Sequence, residues 1–185
     1  MAGNFTRVSR RSSAQSPGLL VPATGHVAES ATDLHKAYMG AIYQVRLPGG
    51  RRLNLVLGKA LPPALCKLCA SDDTSCALIT AWNPQSRRTS NRSNHLAMHS
   101  LRQQLLQLEP QYCLAAISQA TDGDWREVQL FVAGITVADL DRLALNFHQD
   151  AILVGTPTSK LTIRHYAKTG AASLNERTLL QHSTE

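Results

Sequence analysis

The sequence predicts an α+β fold: a ferredoxin-like βαββαβ core with an added N-terminal helix and β-hairpin. Three observations predict it. From Cys76 onward the chain reads as two strand–helix–strand halves in succession. Within them Cys76 to Trp82 and Val128 to Ile135 are the most continuously apolar runs, the pattern of strands buried on both faces. The composition, 185 residues with 43% hydrophobic and 17% charged, suits one domain with room for a real core.

Residues 1–30 are rich in Ser, Thr, Pro and Gly and lack apolar periodicity, so they are expected to be a disordered tail. Their acid-free, Arg- and Ser-containing start is also the composition of a transit peptide, but no amphipathic helix is visible there, and Leu19-Leu20-Val21 is too short for a signal-peptide core. The single α+β domain is expected over 31–168, with a C-terminal tail at 169–185. Thr32 and Asp33 open a short helix through Tyr38 and Met39. Ala41 to Leu47 and Arg51 to Leu57 flank Pro48-Gly49-Gly50, a hairpin pattern that extends or covers the sheet. A Pro-Pro start followed by Leu65, Leu68 and Cys69 fits a short helix over 61–70.

The core elements follow: strand 76–83, helix 91–109, strand 112–118, turn 121–124, strand 127–135, helix 137–148 and strand 151–155. Pro84 cannot donate to a ladder and pushes Asn83 into an extended conformation, so the first strand ends there. Met98, Leu101, Leu105 and Leu108 recur at helical spacing, and Pro110 stops the helix. Thr136 with Asp139 is an acidic variant of the capping box. Leu161 to Tyr166 adds one more strand. Right-handed crossovers place the first and third core strands at the sheet centre.

That topology gathers one polar edge. The end of the first strand, the start of the first core helix, the 121–126 turn and the exit of the second helix all meet there. Trp82, Asn83, Asn94, Asp122, Asp124, Glu127 and Gln149 are expected to converge. Each also has a plainer role. Asn83 and Asn94 suit helix caps, Asp122-Gly123-Asp124 is a turn composition, and the two tryptophans suit the core or its rim. Glu127, opening an apolar strand, needs a partner of some kind.

No cofactor and no metal site is expected. Cys66 and Cys69 have C-x-x-C spacing without a second pair, His95 and His99 share a helix face without a third ligand, and the thiols suit a reducing compartment. No run of about eighteen apolar residues spans a membrane.

Ile79-Thr-Ala-Trp-Asn-Pro84 with Ser86, then Asn94, Gly123-Asp-Trp-Arg-Glu127, Gly134-Ile135 and Phe147-His-Gln-Asp-Ala151, taken as an ordered set, resemble an uncharacterised bacterial family, domain of unknown function 3293. The resemblance covers about residues 34 to 156 and implies a bacterial, cytoplasmic protein; it supplies no activity. The family pattern has a second Asn one turn after Asn94, where this chain has Met98. It often has Pro at the position of Arg126 and Gly at that of His148.

The function expected from these readings is binding of a polar small molecule. Asn83, Ser86, Asn94 and Gln149 would contact it, and Trp82 or Trp125 would pack on it. Asp124 and Glu127 are the one candidate acid/base pair, in which neighbouring carboxylates would raise a pKa. The alternative is nucleic-acid binding. A net charge of +6 permits it, through Arg7, Arg10 and Arg11 and through Arg87, Arg88 and Arg92, although the two central strands carry only Trp82 and Phe131 as aromatics. A ligand-free interaction module is the third reading, and oligomeric state is left open.

Overall fold

The computed structural model describes residues 31–166, so the tails expected at 1–30 and 169–185 lie outside the described residues. The elements are α1 (Ala31–Gly40), β1 (Ile42–Arg46), β2 (Arg52–Leu55), α2 (Pro63–Cys66), β3 (Cys76–Ile79) and α3 (Asn91–Gln107). Then come β4 (Tyr112–Gln119), β5 (Arg126–Ala133), α4 (Val137–Asn146), β6 (Ala151–Gly155) and β7 (Thr162–His165). The fold is α+β, with one seven-stranded sheet in the order β2-β1-β4-β5-β3-β6-β7. Every neighbouring pair is antiparallel.

The two apolar strands, β5 and β3, are adjacent and interior. Along β5 the side chains alternate: Leu130 and Val132 pack with Leu101, Leu105, Leu140 and Leu143 of α3 and α4. Phe131 and Ala133 pack with Tyr43, Val45, Leu65 and Leu153 on the other face. Both faces are therefore apolar, which explains the unbroken hydrophobic run. The N-terminal hairpin extends the sheet, since β1 pairs with β4 through Tyr43↔Ser118 and Val45↔Ala116. The sheet also curls until its two margins meet. Ala60 bridges to Lys160, Gly58 N–H donates to Leu161 O at 2.9 Å, and Leu161 N–H donates to Lys59 O at 2.8 Å.

Several boundaries differ from the expected ones for local reasons. β3 ends at Ile79 rather than at 83, because side chains replace the ladder. The Thr80 hydroxyl donates to Val128 O (2.7 Å) and accepts from Trp82 N–H (2.9 Å), and Ala81 N–H points to Met98 Sδ at 3.1 Å. Asn83 is left-handed (φ 47°), not extended, a conformation Asn tolerates better than most residues. α2 is one turn, continued only by Leu68 N–H to Leu65 O and Cys69 N–H to Cys66 O. α3 stops short of Pro110, with Glu109 at φ 51°. The cap of α3 is Ser90, whose Oγ accepts from Ser93 N–H at 3.1 Å; neither Asn83 nor Asn94 caps it. Thr136 does cap α4 and pairs with Asp139 in both directions, as the sequence indicated.

The thiols are free, with Cys69 Sγ 3.4 Å from Cys76 Sγ. Among the described residues no helix is long and apolar enough to cross a membrane.

The packing yields a direct test. Leu101 is fully buried and seats α3 on the sheet. Leu101→Ala should lower unfolding free energy by about 3 kcal/mol in urea denaturation, through lost transfer energy and the cavity left behind.

Candidate functional site

The site begins with a backbone constraint. In the 3₁₀ turn that follows Asn83, Gln85 and Ser86 both have φ of 55°, so three residues of four are left-handed without being glycine. Such residues persist only where the surroundings over-determine them, and here each is anchored. Gln85 N–H donates to His148 O at 2.7 Å, and Ser86 Oγ donates to Asp150 Oδ2 at 2.6 Å. Asn83 is clamped by Asn94 in a reciprocal pair: its N–H donates to Asn94 Oδ1 (2.9 Å), and Asn94 Nδ2 donates to Asn83 Oδ1 (3.0 Å).

The clamp sets the direction of the next contact. Asn83 Oδ1 also accepts from Thr89 N–H at 3.1 Å. A backbone N–H can only donate, so the amide orientation is forced and Nδ2 must face the other way. There it donates to Glu127 Oε1 at 3.1 Å. Glu127 sits on β5 opposite Ser118 of β4, beside the turn that joins the two strands. In that turn Asp122 Oδ1 accepts from Asp124 N–H (3.1 Å) and Gly123 has φ 81°, so Asp122 does serve the turn.

Above Glu127 lies an open cavity of about 480 Å³. Asn83, Ser86 and Arg88 form one wall, Ser118 and Gln119 with the 120–125 turn a second, and Gln149 closes a corner. The remaining wall is α1 and the start of β1: Leu34, Lys36, Ala37, Tyr38, Gly40, Ala41 and Tyr43. Tyr43 OH donates to Tyr38 O at 2.8 Å, fastening α1 to the strand. Arg88 closes the far rim, its guanidinium 5.2 Å from the Trp125 ring centroid and 2.6 Å from Asp124 O.

The expected residues divide clearly. Asn83, Ser86, Asp122, Asp124, Trp125, Glu127 and Gln149 all line this cavity. Trp82 and Asn94 do not. The Trp82 ring belongs to the core under α3 and α4, edge-on to His95 at 5.1 Å, and only its carbonyl reaches the site region, accepting from Gln149 Nε2 at 3.3 Å. Asn94, 2% exposed, spends its amide on Asn83 and Thr89. Both touch a smaller depression of about 160 Å³ on the other side of Arg88 and Trp125. Met98, standing where the resemblance leads one to expect a second Asn, meets Ala81 N–H through sulfur instead.

Among the cavity residues that escaped the sequence reading, Tyr38, Tyr43 and Ser118 carry polar groups. The pairing of β1 with β4 brings them in, and partial period-two alternation in 41–47 was the available trace of it.

Glu127 is the buried ionisable group of the cavity. Its carboxyl lies deep among protein atoms, and burial pushes its pKa from 4.5 up to about 7, although hydrogen bonding from Asn83 and then Trp125 pulls the other way. No second carboxylate contributes to the shift, so the expected Asp124–Glu127 coupling is not its cause. Nor does Arg87, Arg88 or Arg92 pair with it: among the described residues the ion pairs are Arg142–Asp139 and Arg164–Asp141. Burial, and next the negative charge of Glu127, also raise the Tyr38 and Tyr43 phenols, which stay protonated.

Fold and cavity together define a small α+β domain with a buried carboxyl at the floor of an open site. Residues 79–152 match the family described as protein of unknown function (DUF3293). No curated protein and no solved structure matches the chain.

Two measurements check this geometry. Asn94→Ala removes both halves of the clamp and leaves buried donors unpaired, so it should cost roughly 2–4 kcal/mol in chemical denaturation. Asn94→Asp keeps the acceptor for Asn83 N–H but sets a buried carboxylate oxygen against Asn83 Oδ1, so at neutral pH it should cost at least as much.

The second concerns pH. The folded pKa of Glu127 lies above its unfolded value, so the fold favours the protonated acid. Stability is then greatest below about 4.5 and declines as pH rises through about 7. Glu127→Gln should remove that decline. It should be the more stable protein at pH 8 by roughly 2 kcal/mol, the partial exposure of the side chain reducing the full 1.4 kcal/mol per unit. Thermal unfolding of both proteins between pH 4 and 8 decides it.

Proposed function

We infer that the protein binds a polar small molecule in the cavity above Glu127. One observation carries the reading: a carboxyl kept in a costly buried position, held by neutral donors, facing a cavity of ligand size. Buried ionisable groups without a charged partner are expensive and cluster at functional sites. The volume, about 480 Å³, lies within the range of small-molecule pockets. Asn83, Ser86 and Gln149 supply polar contacts, and Trp125 with Tyr38 supplies packing surface. Asp124 lies on the rim as a second carboxylate, and we assign no reaction to the pair.

We read β3 to β6 with α3 and α4 as a ferredoxin-like unit. The order β4-β5-β3-β6, antiparallel throughout, supports this. Free thiols support a reducing, cytoplasmic setting. Apolar clusters on both sides of the sheet favour the cavity over nucleic-acid stacking, since Phe131 is fully buried and Trp82 nearly so.

Thermal-shift screening against a panel of polar metabolite-sized compounds tests the reading. Binders should raise Tm in the parent protein and lose that effect in Ala120→Trp, which fills the cavity from its turn. A panel without any binder, or binders indifferent to Ala120→Trp, would overturn the assignment.

A further inference from the structure

Building on that reading, we propose that the ligand is an organic cation, an alkyl- or arylalkylammonium group whose nitrogen sits against Glu127 and whose apolar part lies between Tyr38 and Trp125. Carboxylates outnumber cations in the cavity lining. Asp122 and Asp124 of the turn line the same cavity as Glu127, and Ser86, also in its lining, donates to the Asp150 carboxylate. Tyr38 from α1 and Tyr43 from β1 face it with neutral phenols. Two cations line the same cavity. Arg88 is committed to the Asp124 carbonyl and the Trp125 ring, and Lys36 is exposed on α1. No described residue neutralises Glu127.

The hydrogen bonds point the same way. Asn83 Nδ2 donates to the carboxyl, and Trp125 beside it also favours the ionised form, yet neither brings charge. The pocket is thus organised to hold an anion while lacking its counter-ion. An ammonium ligand completes that arrangement by replacing the proton Glu127 otherwise retains near neutrality. Aromatic faces beside a carboxylate are favourable surroundings for an ammonium group. An anionic ligand would meet the opposite field and would bind only to protonated Glu127.

Three probes of similar shape separate the cases: phenethylamine, 2-phenylethanol and 3-phenylpropionate, titrated by calorimetry at pH 6 and pH 8. Alkylammonium groups titrate in the lysine range, so the amine stays charged at both. The amine should bind best, about tenfold more tightly at pH 8 than at pH 6, since only the ionised fraction of Glu127 is competent. Glu127→Gln should lose both the affinity and the pH dependence while keeping its circular dichroism spectrum; Ala120→Trp should bind none of the three. Should the alcohol or the carboxylate bind as well as the amine, or the amine bind independently of pH, the cation assignment falls while the small-molecule reading stands. Should none of the three bind at millimolar concentration, the cation assignment falls, and the wider panel alone decides the other.

Discussion

The reciprocal amide pair between Asn83 and Asn94 is the contact on which the rest of the site depends. It joins the chain leaving β3 to the first turn of α3, and it is buried, so its geometry cannot be exchanged for water. Its consequences run outward in order. With Asn83 fixed left-handed, the turn that follows can hold Gln85 and Ser86 in the same region, tied to the His148 carbonyl and the Asp150 carboxylate. With Asn83 Oδ1 occupied by Thr89 N–H, Asn83 Nδ2 must face Glu127. A backbone turn, a helix start and the orientation of one carboxyl are therefore one linked arrangement.

Against that rigid support, Glu127 is held at a cost. Neutral donors lower the energy of its charged form but do not repay removal from water, and burial wins. A structural carboxylate in this place would be expected to meet an arginine, and three follow Asn83 in the chain at 87, 88 and 92. Arg88 instead bends over Trp125 and binds a backbone carbonyl, shaping the rim of the cavity and leaving its floor without a cation. The distinction matters because a paired carboxylate stabilises its fold as pH rises, whereas this one does the reverse.

Much of this was legible in the residues. The strand–helix alternation, the interior position of the two apolar strands and the Thr136 cap follow from local pattern, and the convergence of Asn83, Ser86, Asp122, Asp124, Trp125, Glu127 and Gln149 follows from topology. What escaped depends on long-range pairing or on a choice between equivalent donors. Asn94 reads as a cap because it precedes a helical period, but Ser90 takes that role and frees Asn94 for the clamp. Trp82 ends the strand run at a plausible rim, yet the chain turns at Thr80 and carries the ring into the core. The wall made by α1 could not be read locally, since only the pairing of β1 with β4 decides where α1 lies.

The boundary of the family match divides the cavity along that same line. Residues 79–152 contain the clamp, the strained turn, Arg88, Glu127 and Gln149, which is to say the floor and the polar wall. The apolar wall, Leu34 to Tyr43, lies outside the match and is attached through the pairing of β1 with β4, the Tyr43–Tyr38 hydrogen bond and the contacts of His35 and Tyr38 with His165 of β7. The two parts make different demands on a ligand. Recognition of a polar group is set by fixed donors and a carboxyl whose position cannot relax without unmaking the clamp. Accommodation of an apolar part is set by side chains on a ten-residue helix, where a change of one side chain alters shape without disturbing the floor. On the proposed reading, the charge of the ligand is thus dictated by the matched segment and its size by the helix that precedes it.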